Sequence, residues 1–266
     1  MKLSVDESAP PAKLRDAATV MLLRDGEPGL EVFLLRRVLG MAFAGGMTVF
    51  PGGGVDEGDS DAHLSWSGAE PSWWASRFDT DEARAKRLVC AAARETFEEC
   101  GILLAGAAPG AVVTNAQRYH DARQELEKHE LDFSGFLRRE GLVLGADRLR
   151  PWSHWITPIG ESRRYDTHFF VAALPEGQTA DGLTSEASEV LWSTPSAALE
   201  HWRAGQSGLL PPTWSQLESL QQYATVAEVM AAEPVITPIQ PDLVREGERW
   251  RVEFDGGDRY LAQMPS

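Results

Sequence analysis

Near the start of the chain, short apolar runs are separated by turn residues; further on, the apolar positions recur at helical spacing. Residues 17–23 and 30–36 are two apolar segments joined by Asp25-Gly26-Glu27-Pro28-Gly29, which predicts two strands in a hairpin. A third short strand over 47–50 runs into a glycine-dense loop. A helix is expected from a cap at Asp79 or Thr80, with acid in its first turn, to a stop at Gly101. Residues 115–139 have the charged, helix-favouring composition of one or two surface helices, and 169–174 and 190–192 read as buried strands. From Leu199 the chain is helical in character until Pro234. The tail reads as a hairpin of 250–254 with 259–262 across Asp255-Gly256-Gly257-Asp258. Residues 1–14, with Pro10-Pro11, read as a flexible arm. Interleaved strands and helices make this an α/β chain.

The expected helix before Gly101 carries unusual chemistry. At about 100° per residue, Glu95, Glu98 and Glu99 cluster on one side, and Val89, Ala93, Phe97 and Cys100 cluster on the opposite one. Three like charges at i, i+3 and i+4 repel. A solvated acidic face would relieve that repulsion, and so would a hard cation such as Mg²⁺ or Mn²⁺ held by carboxylate oxygens.

The upstream loop, Phe50-Pro51-Gly52-Gly53-Gly54-Val55-Asp56-Glu57-Gly58-Asp59, decides between the two. With Arg94-Glu95-Thr96-Phe97-Glu98-Glu99-Cys100-Gly101-Ile102 it resembles the Nudix box, G-x5-E-x7-R-E-U-x-E-E-x-G-U, where U is bulky and apolar. Gly53 takes the first position, Asp59 stands where the family has Glu, and Thr96 departs from an apolar position. The family spacing would place the arginine at position 67. It stands at 94, so 27 residues are inserted, over about 60–86. Trp66, Trp73 and Trp74 make that insertion too apolar for a free loop.

The second half extends the resemblance. Trp155-Ile156-Thr157-Pro158, Arg164-Tyr165-Asp166-Thr167-His168-Phe169-Phe170, Glu186 ahead of Trp192-Ser193-Thr194-Pro195, and Leu209-Leu210-Pro211-Pro212-Thr213 look like the Nudix branch that includes the animal peroxisomal coenzyme A diphosphatases, which also carries an insertion in its box. The resemblance implies a Nudix α/β/α sandwich with a mixed sheet over 15–240, followed by a C-terminal extension over 241–266. It implies a divalent-metal-dependent diphosphatase acting on a nucleoside diphosphate derivative, with coenzyme A or acyl-CoA as leading substrate. ADP-ribose, nucleotide sugars and dinucleoside polyphosphates are the alternatives within the enzyme class; a non-catalytic nucleotide sensor is the alternative outside it. The His and Gln that precede the Phe-Pro-Gly-Gly loop in many other coenzyme A-cleaving Nudix enzymes are absent from residues 43–49.

On this resemblance Glu95, Glu98 and Glu99 are the expected ligands of Mg²⁺ or Mn²⁺, one of them doubling as base. Arg94 is expected to hold a box carboxylate, Asp59 to brace the loop, and Glu186 to supply a further ligand or base. Arg36 or Arg37 is a candidate phosphate clamp, and Gly52 and Gly53 let the loop approach helix or substrate closely. His168, within an aromatic strand, reads as a core histidine, and Trp73 and Trp74 as packing.

Composition narrows the partners. The 266 residues carry a formal charge of −15, which argues against nucleic acid but not against a small phosphate ester held by local cations. No run is apolar enough for a membrane span, and the first residues lack the apolar stretch of a signal peptide. Cys90 and Cys100, about 15 Å apart along one helix, are too distant for a disulfide, which is compatible with a reducing cytoplasm. A homodimer is compatible with all of this.

Overall fold

The computed structural model describes residues 10–40, 44–61, 64–247 and 249–265. Most of the expected arm, residues 1–9, lies outside them; 10–13 have no regular structure. The hairpin strands are β1 (Leu14–Gly26) and β2 (Gly29–Arg37), followed by the short β3 (Thr48–Val49), β4 (Gly52–Gly54) and β5 (Trp66–Ser67). Helices α1 (Pro71–Phe78) and α2 (Glu82–Cys100) come next, then β6 (Ala105–Gly106), α3 (His120–Glu127), α4 (Phe133–Arg139) and β7 (Val143–Gly145). Strands β8 (Leu149–Ile156), β9 (Arg164–Ala173) and β10 (Ala187–Ser193) precede α5 (Pro195–Arg203), α6 (Pro211–Leu220) and α7 (Val226–Ala231). The chain ends with β11 (Pro238–Ile239), β12 (Asp242–Glu246), β13 (Arg249–Glu253) and α8 (Gly257–Gln263).

The main sheet runs β10-β2-β1-β9-β8-β11, with β3 on β2 and β4 on β1. It is mixed: β1 pairs parallel with β9, while β1–β2, β2–β10 and β8–β9 are antiparallel. Alternation along each strand divides its side chains between two cores. Ala18, Val20, Leu22, Phe33, Leu35 and Phe170 face α1, α2 and α4. Met21, Leu23, Val32, Leu34, Phe169 and Val171 face α5, α6 and α8. This is the expected α/β/α sandwich.

Four local expectations differ from the fold. Helix α2 is capped by Asp81, whose carboxylate accepts from Arg84 N–H at 2.8 Å, because Asp79 ends a helix that the sequence did not reveal, in left-handed backbone at φ 51°. That helix, α1, packs along α2, with Trp74 against Phe170 (5.8 Å) and Phe78 against His168 (4.6 Å). The 115–139 segment is no surface layer: Phe133 and Phe136 are buried, and Phe136 stacks on Phe97 at 5.4 Å. The terminal hairpin is β12–β13, turning at Gly247 (φ 64°). Residues 257–263 are helical, with Gly256 at φ 89° as the N-cap. Among the described residues no helix is long and apolar enough to cross a membrane.

Candidate functional site

Helix α2 presents the acidic residues where the β4 loop crosses it. The β4 loop and the turn at Glu57–Ser60 lie over that side of the helix, and Arg94, Glu95, Glu98 and Glu99 are all buried, none more than 9% exposed. Thr96, polar at an apolar position of the motif, is accommodated by donating to the Ala92 carbonyl one turn earlier, 2.7 Å away.

Arg94 is the hub. Its Nε and Nη2 bond the two oxygens of Asp59, both at 3.1 Å, and Nη2 also donates to the Gly54 carbonyl at 2.7 Å. Its Nη1 donates to Glu95 Oε1 at 2.9 Å and Glu98 Oε2 at 3.3 Å. One guanidinium therefore ties the glycine loop, the turn carrying Asp59 and two acids of the helix together.

Glu99 has a different partner, accepting from the Gly52 N–H at 2.7 Å. The loop lies so close that a Cβ on Gly53 would stand 2.5 Å from Glu95 Oε1, and one on Gly52 2.5 Å from the Ala18 carbonyl. Both glycines thus seat carboxylates and backbone. Arg37 reaches Glu186 at 2.6 Å, and the pair acts electrostatically on Glu99. Arg36, its neighbour on the strand, belongs to the opposite side of β2 and pairs loosely with Glu189 at 3.7 Å. Of the two candidate clamps, the fold brings Arg37 to the glutamates and turns Arg36 away.

Burial dominates the electrostatics. It raises Glu95 well above the ordinary carboxylate range, with Arg94 opposing the shift and Glu99 and Glu98 adding to it. Glu98 is raised by burial against the pull of Arg94. Glu99 is pushed up to about 8 by burial, with the Gly52 N–H opposing and the Glu186 charge adding. Among the described residues Arg94 pairs with Asp59, Glu95 and Glu98, and Arg37 with Glu186, so carboxylates outnumber these two guanidinium groups. Such an excess of buried oxygen donors fits a hard divalent cation, although the side chains are not gathered on one point: Glu95 and Glu98 turn to Arg94, and Glu99 to the loop.

Other contributors were not apparent from sequence. Arg123 donates to the Glu98 carbonyl at 2.9 Å and pairs with Asp181 at 2.7 Å, fixing the last turn of α2. Nothing distinguishes it from other arginines on a charged helix. A cleft of about 680 Å³ opens beside Glu98, lined by Asp56, Asp59, Arg94, Leu126, His129 and Asp132. His168 lies fully buried in the core, as expected, and Trp74 is packed at 1% exposure while Trp73 is 39% exposed.

Comparison with known proteins bears on this arrangement. The model of the NUDT19 Nudix domain matches residues 80–220. A Gallus gallus protein named acyl-coenzyme A diphosphatase NUDT19 is 28% identical over 306 aligned residues, covering 94% of this chain and 78% of its own. The Homo sapiens protein of the same name is 27% identical, covering 76% of this chain and 63% of its own, so the match spans somewhat less than two thirds of that relative. The fold is that of the Nudix hydrolase from Alicyclobacillus acidocaldarius, with a TM-score of 0.67 over 84% of this chain and 98% of that one, at 24% identity. With the split motif joined through Arg94 and the matched domain covering just over half its length, the chain belongs to the NUDT19 family of Nudix hydrolases.

Proposed function

We propose that this protein cleaves the diphosphate of coenzyme A or an acyl-CoA, with Mg²⁺ or Mn²⁺, to give 3′-phosphoadenosine 5′-phosphate and 4′-phosphopantetheine or its acyl form. The observation that carries the reading is the buried set of Glu95, Glu98 and Glu99, seated by Arg94 and the Gly52–Gly53 backbone. The names of the chicken and human relatives supply the substrate class. Glu95, Glu98 and Glu99 would hold the divalent ions, which when bound neutralise phosphate oxygens and lower the pKa of a coordinated water.

The chain's own groups then divide the work. Arg94 holds Glu95 and Glu98 in place from behind, with Asp59 fixing its own orientation. One of the three helix glutamates, or Glu186, 43% exposed on its side chain beside Arg37, takes the proton from attacking water. Arg37 is the cation placed to meet a phosphate on entry, exchanging part of its contact with Glu186.

Incubation with coenzyme A, acetyl-CoA, ADP-ribose, nucleotide sugars and dinucleoside polyphosphates in Mg²⁺ or Mn²⁺, read by mass spectrometry, tests the assignment. The expected products retain the thioester and lose the diphosphate. Thioester loss with an intact diphosphate would refute the chemistry, and brisk cleavage of ADP-ribose with none of any coenzyme A species would refute the substrate.

A further inference from the structure

Glu186 stands just ahead of β10, whose ladder begins at Ala187 opposite Arg37 and is irregular between Ala187 and Glu189. The Val38 N–H donates to its carbonyl at 3.0 Å, tying its backbone to the end of β2. Helix α3, which lies outside the split motif, holds the same segment from the other direction. Glu127 Oε1 accepts from the Ser185 N–H at 2.8 Å, from Ser185 Oγ at 2.7 Å and from Thr184 Oγ1 at 3.4 Å. Thr184 Oγ1 in turn accepts from the Glu186 N–H at 3.3 Å, so hydrogen bonds run without a break from Glu186 to Glu127.

Arg123, one turn earlier on α3, holds the other carrier of acid. It donates to the Glu98 carbonyl at 2.9 Å and to Asp181 Oδ1 at 2.7 Å. The same Asp181 oxygen accepts from the Leu183 N–H at 3.0 Å, and the Asp181 N–H donates to the Cys100 carbonyl at 3.1 Å. A Cβ on Gly101 would stand 2.7 Å from Arg123 Nη1, so the arginine packs directly on the end of α2. Two residues four apart on one helix thus join the 181–186 segment to the turn that carries Glu98 and Glu99.

We propose that Glu127 is a positioning residue for the reaction: with Arg123, it sets where Glu186 stands relative to Glu98 and Glu99. The inference rests on the diphosphatase reading of the site, and not on coenzyme A as the substrate. Glu186 and Glu99 repel one another, which drives the loop away from the helix, and Arg37 offsets part of that repulsion. The α3 brace opposes the rest. Burial alone would raise the Glu127 carboxyl, yet the hydrogen bonds from Ser185 and Thr184 hold it below the ordinary carboxylate range. It is therefore a charged acceptor, whose bonds are about twice as strong as those between neutral groups.

Glu127→Ala in the full chain, beside Glu125→Ala, provides the test; Glu125 lies on the same helix but pairs with the exposed Arg139 at 3.2 Å. Amide hydrogen exchange at Ser185 and Glu186 should quicken in Glu127→Ala and keep its parent rate in Glu125→Ala. On whichever diphosphate the wild type cleaves, Glu127→Ala should lower kcat by about tenfold or more with KM little changed, as loss of a group that orients an active-site acid does. Glu127→Gln, which keeps an acceptor oxygen, should recover part of that loss. In a Glu186→Gln background the effect of Glu127→Ala on kcat should shrink to less than about twofold, because the brace then has no carboxylate to place. Unchanged kcat or unchanged exchange in Glu127→Ala, or an equal loss with and without the Glu186 carboxylate, would overturn the inference alone. A wild-type protein that cleaves no diphosphate would overturn the reading beneath it, and the inference with it.

Discussion

Arg94 grips Asp59 through two hydrogen bonds of 3.1 Å, joining motif halves that lie 35 residues apart in sequence. The contact shows why the insertion is tolerated. The turn carrying Asp59 is anchored at the helix and not by the length of chain between them, so residues 60–80 are free to build their own elements. The Asp59 side chain is fully buried and Arg94 nearly so, which makes the pair costly to break. Arg94→Ala should destabilise the fold by roughly 3–5 kcal/mol, since it leaves Asp59 buried without a counter-charge. Arg94→Lys should lose less stability but most activity, because an ammonium cannot reproduce the fork. Denaturant unfolding beside turnover checks both; unchanged stability in Arg94→Ala would remove Asp59 as the brace.

Neutralising the helix acids should separate activity from stability. Burial raises Glu95, Glu98 and Glu99 above the ordinary carboxylate range, so their charged forms are held at a cost in the metal-free protein. Glu98→Gln should lower kcat by at least about a hundredfold while leaving the unfolding midpoint unchanged or slightly raised. Full turnover in the folded variant would take Glu98 out of the site.

The same shifts set a pH dependence for the metal-free protein. A carboxylate at about 8 in the fold, against about 4.3 unfolded, keeps a proton that the unfolded chain has released between those values. Stability therefore falls as pH rises across that window and levels off below it. Urea midpoints in a chelator should drop from about pH 5 to about pH 8, and Glu99→Gln should flatten the slope. A slope identical in Glu99→Gln and wild type would show that another group titrates.

The chemistry of the motif was more legible than its surroundings. Gly53, Asp59, Arg94 and the glutamates are recognisable through their resemblance to the two halves of the Nudix box, and each meets a local requirement, such as close approach, a fork partner or a helical face. Their burial was not legible, since the loop at Gly52–Gly54 and the turn carrying Asp59, which lie over them, are brought there through space by the Gly52 N–H and by Arg94. Strand β8 was hidden by Pro151, which demotes a run from strand to edge or loop; the register shift between Pro151 and Ser153 is how the sheet accommodates it. At the tail, Gly256-Gly257 suits a hairpin turn, but Gly256 caps a helix, and the turn falls nearer Gly247. Two glycine sites competed, and packing of Tyr260 against Trp202 and Trp214 decided between them. Arg37 and Arg36 could not be told apart before the register of β2 assigned them to opposite sides.

Trp74 should prove that the insertion is part of the core. It is 1% exposed and packs on Phe78 and Phe170. Trp74→Ala should cost roughly 3–5 kcal/mol. Trp74→Phe should cost much less, because the indole N–H has no hydrogen-bond partner among the described residues and its loss leaves nothing unsatisfied. Equal losses in the two variants, measured by chemical unfolding, would mean that the indole itself is needed there.

Adjacent glycines offer a sharper test of how the loop seats the acids. An added methyl on Gly53 would stand 2.5 Å from Glu95 Oε1, so Gly53→Ala has to displace that carboxylate from the position Arg94 gives it. On Gly54 the nearest atom to a new Cβ is the Asp16 carbonyl oxygen at 4.0 Å, an ordinary contact. Neither glycine has the positive φ that would add backbone strain, so the pair differs in sterics alone. Gly53→Ala is expected to lower kcat by about tenfold or more, as small displacements at a reacting centre do, while Gly54→Ala stays near wild type. Both should unfold within about 1–2 kcal/mol of the parent. Equal activity in the two variants would show that the position of Glu95 does not depend on the bare backbone at Gly53, and the loop would then serve the site through the Gly52 N–H to Glu99 alone.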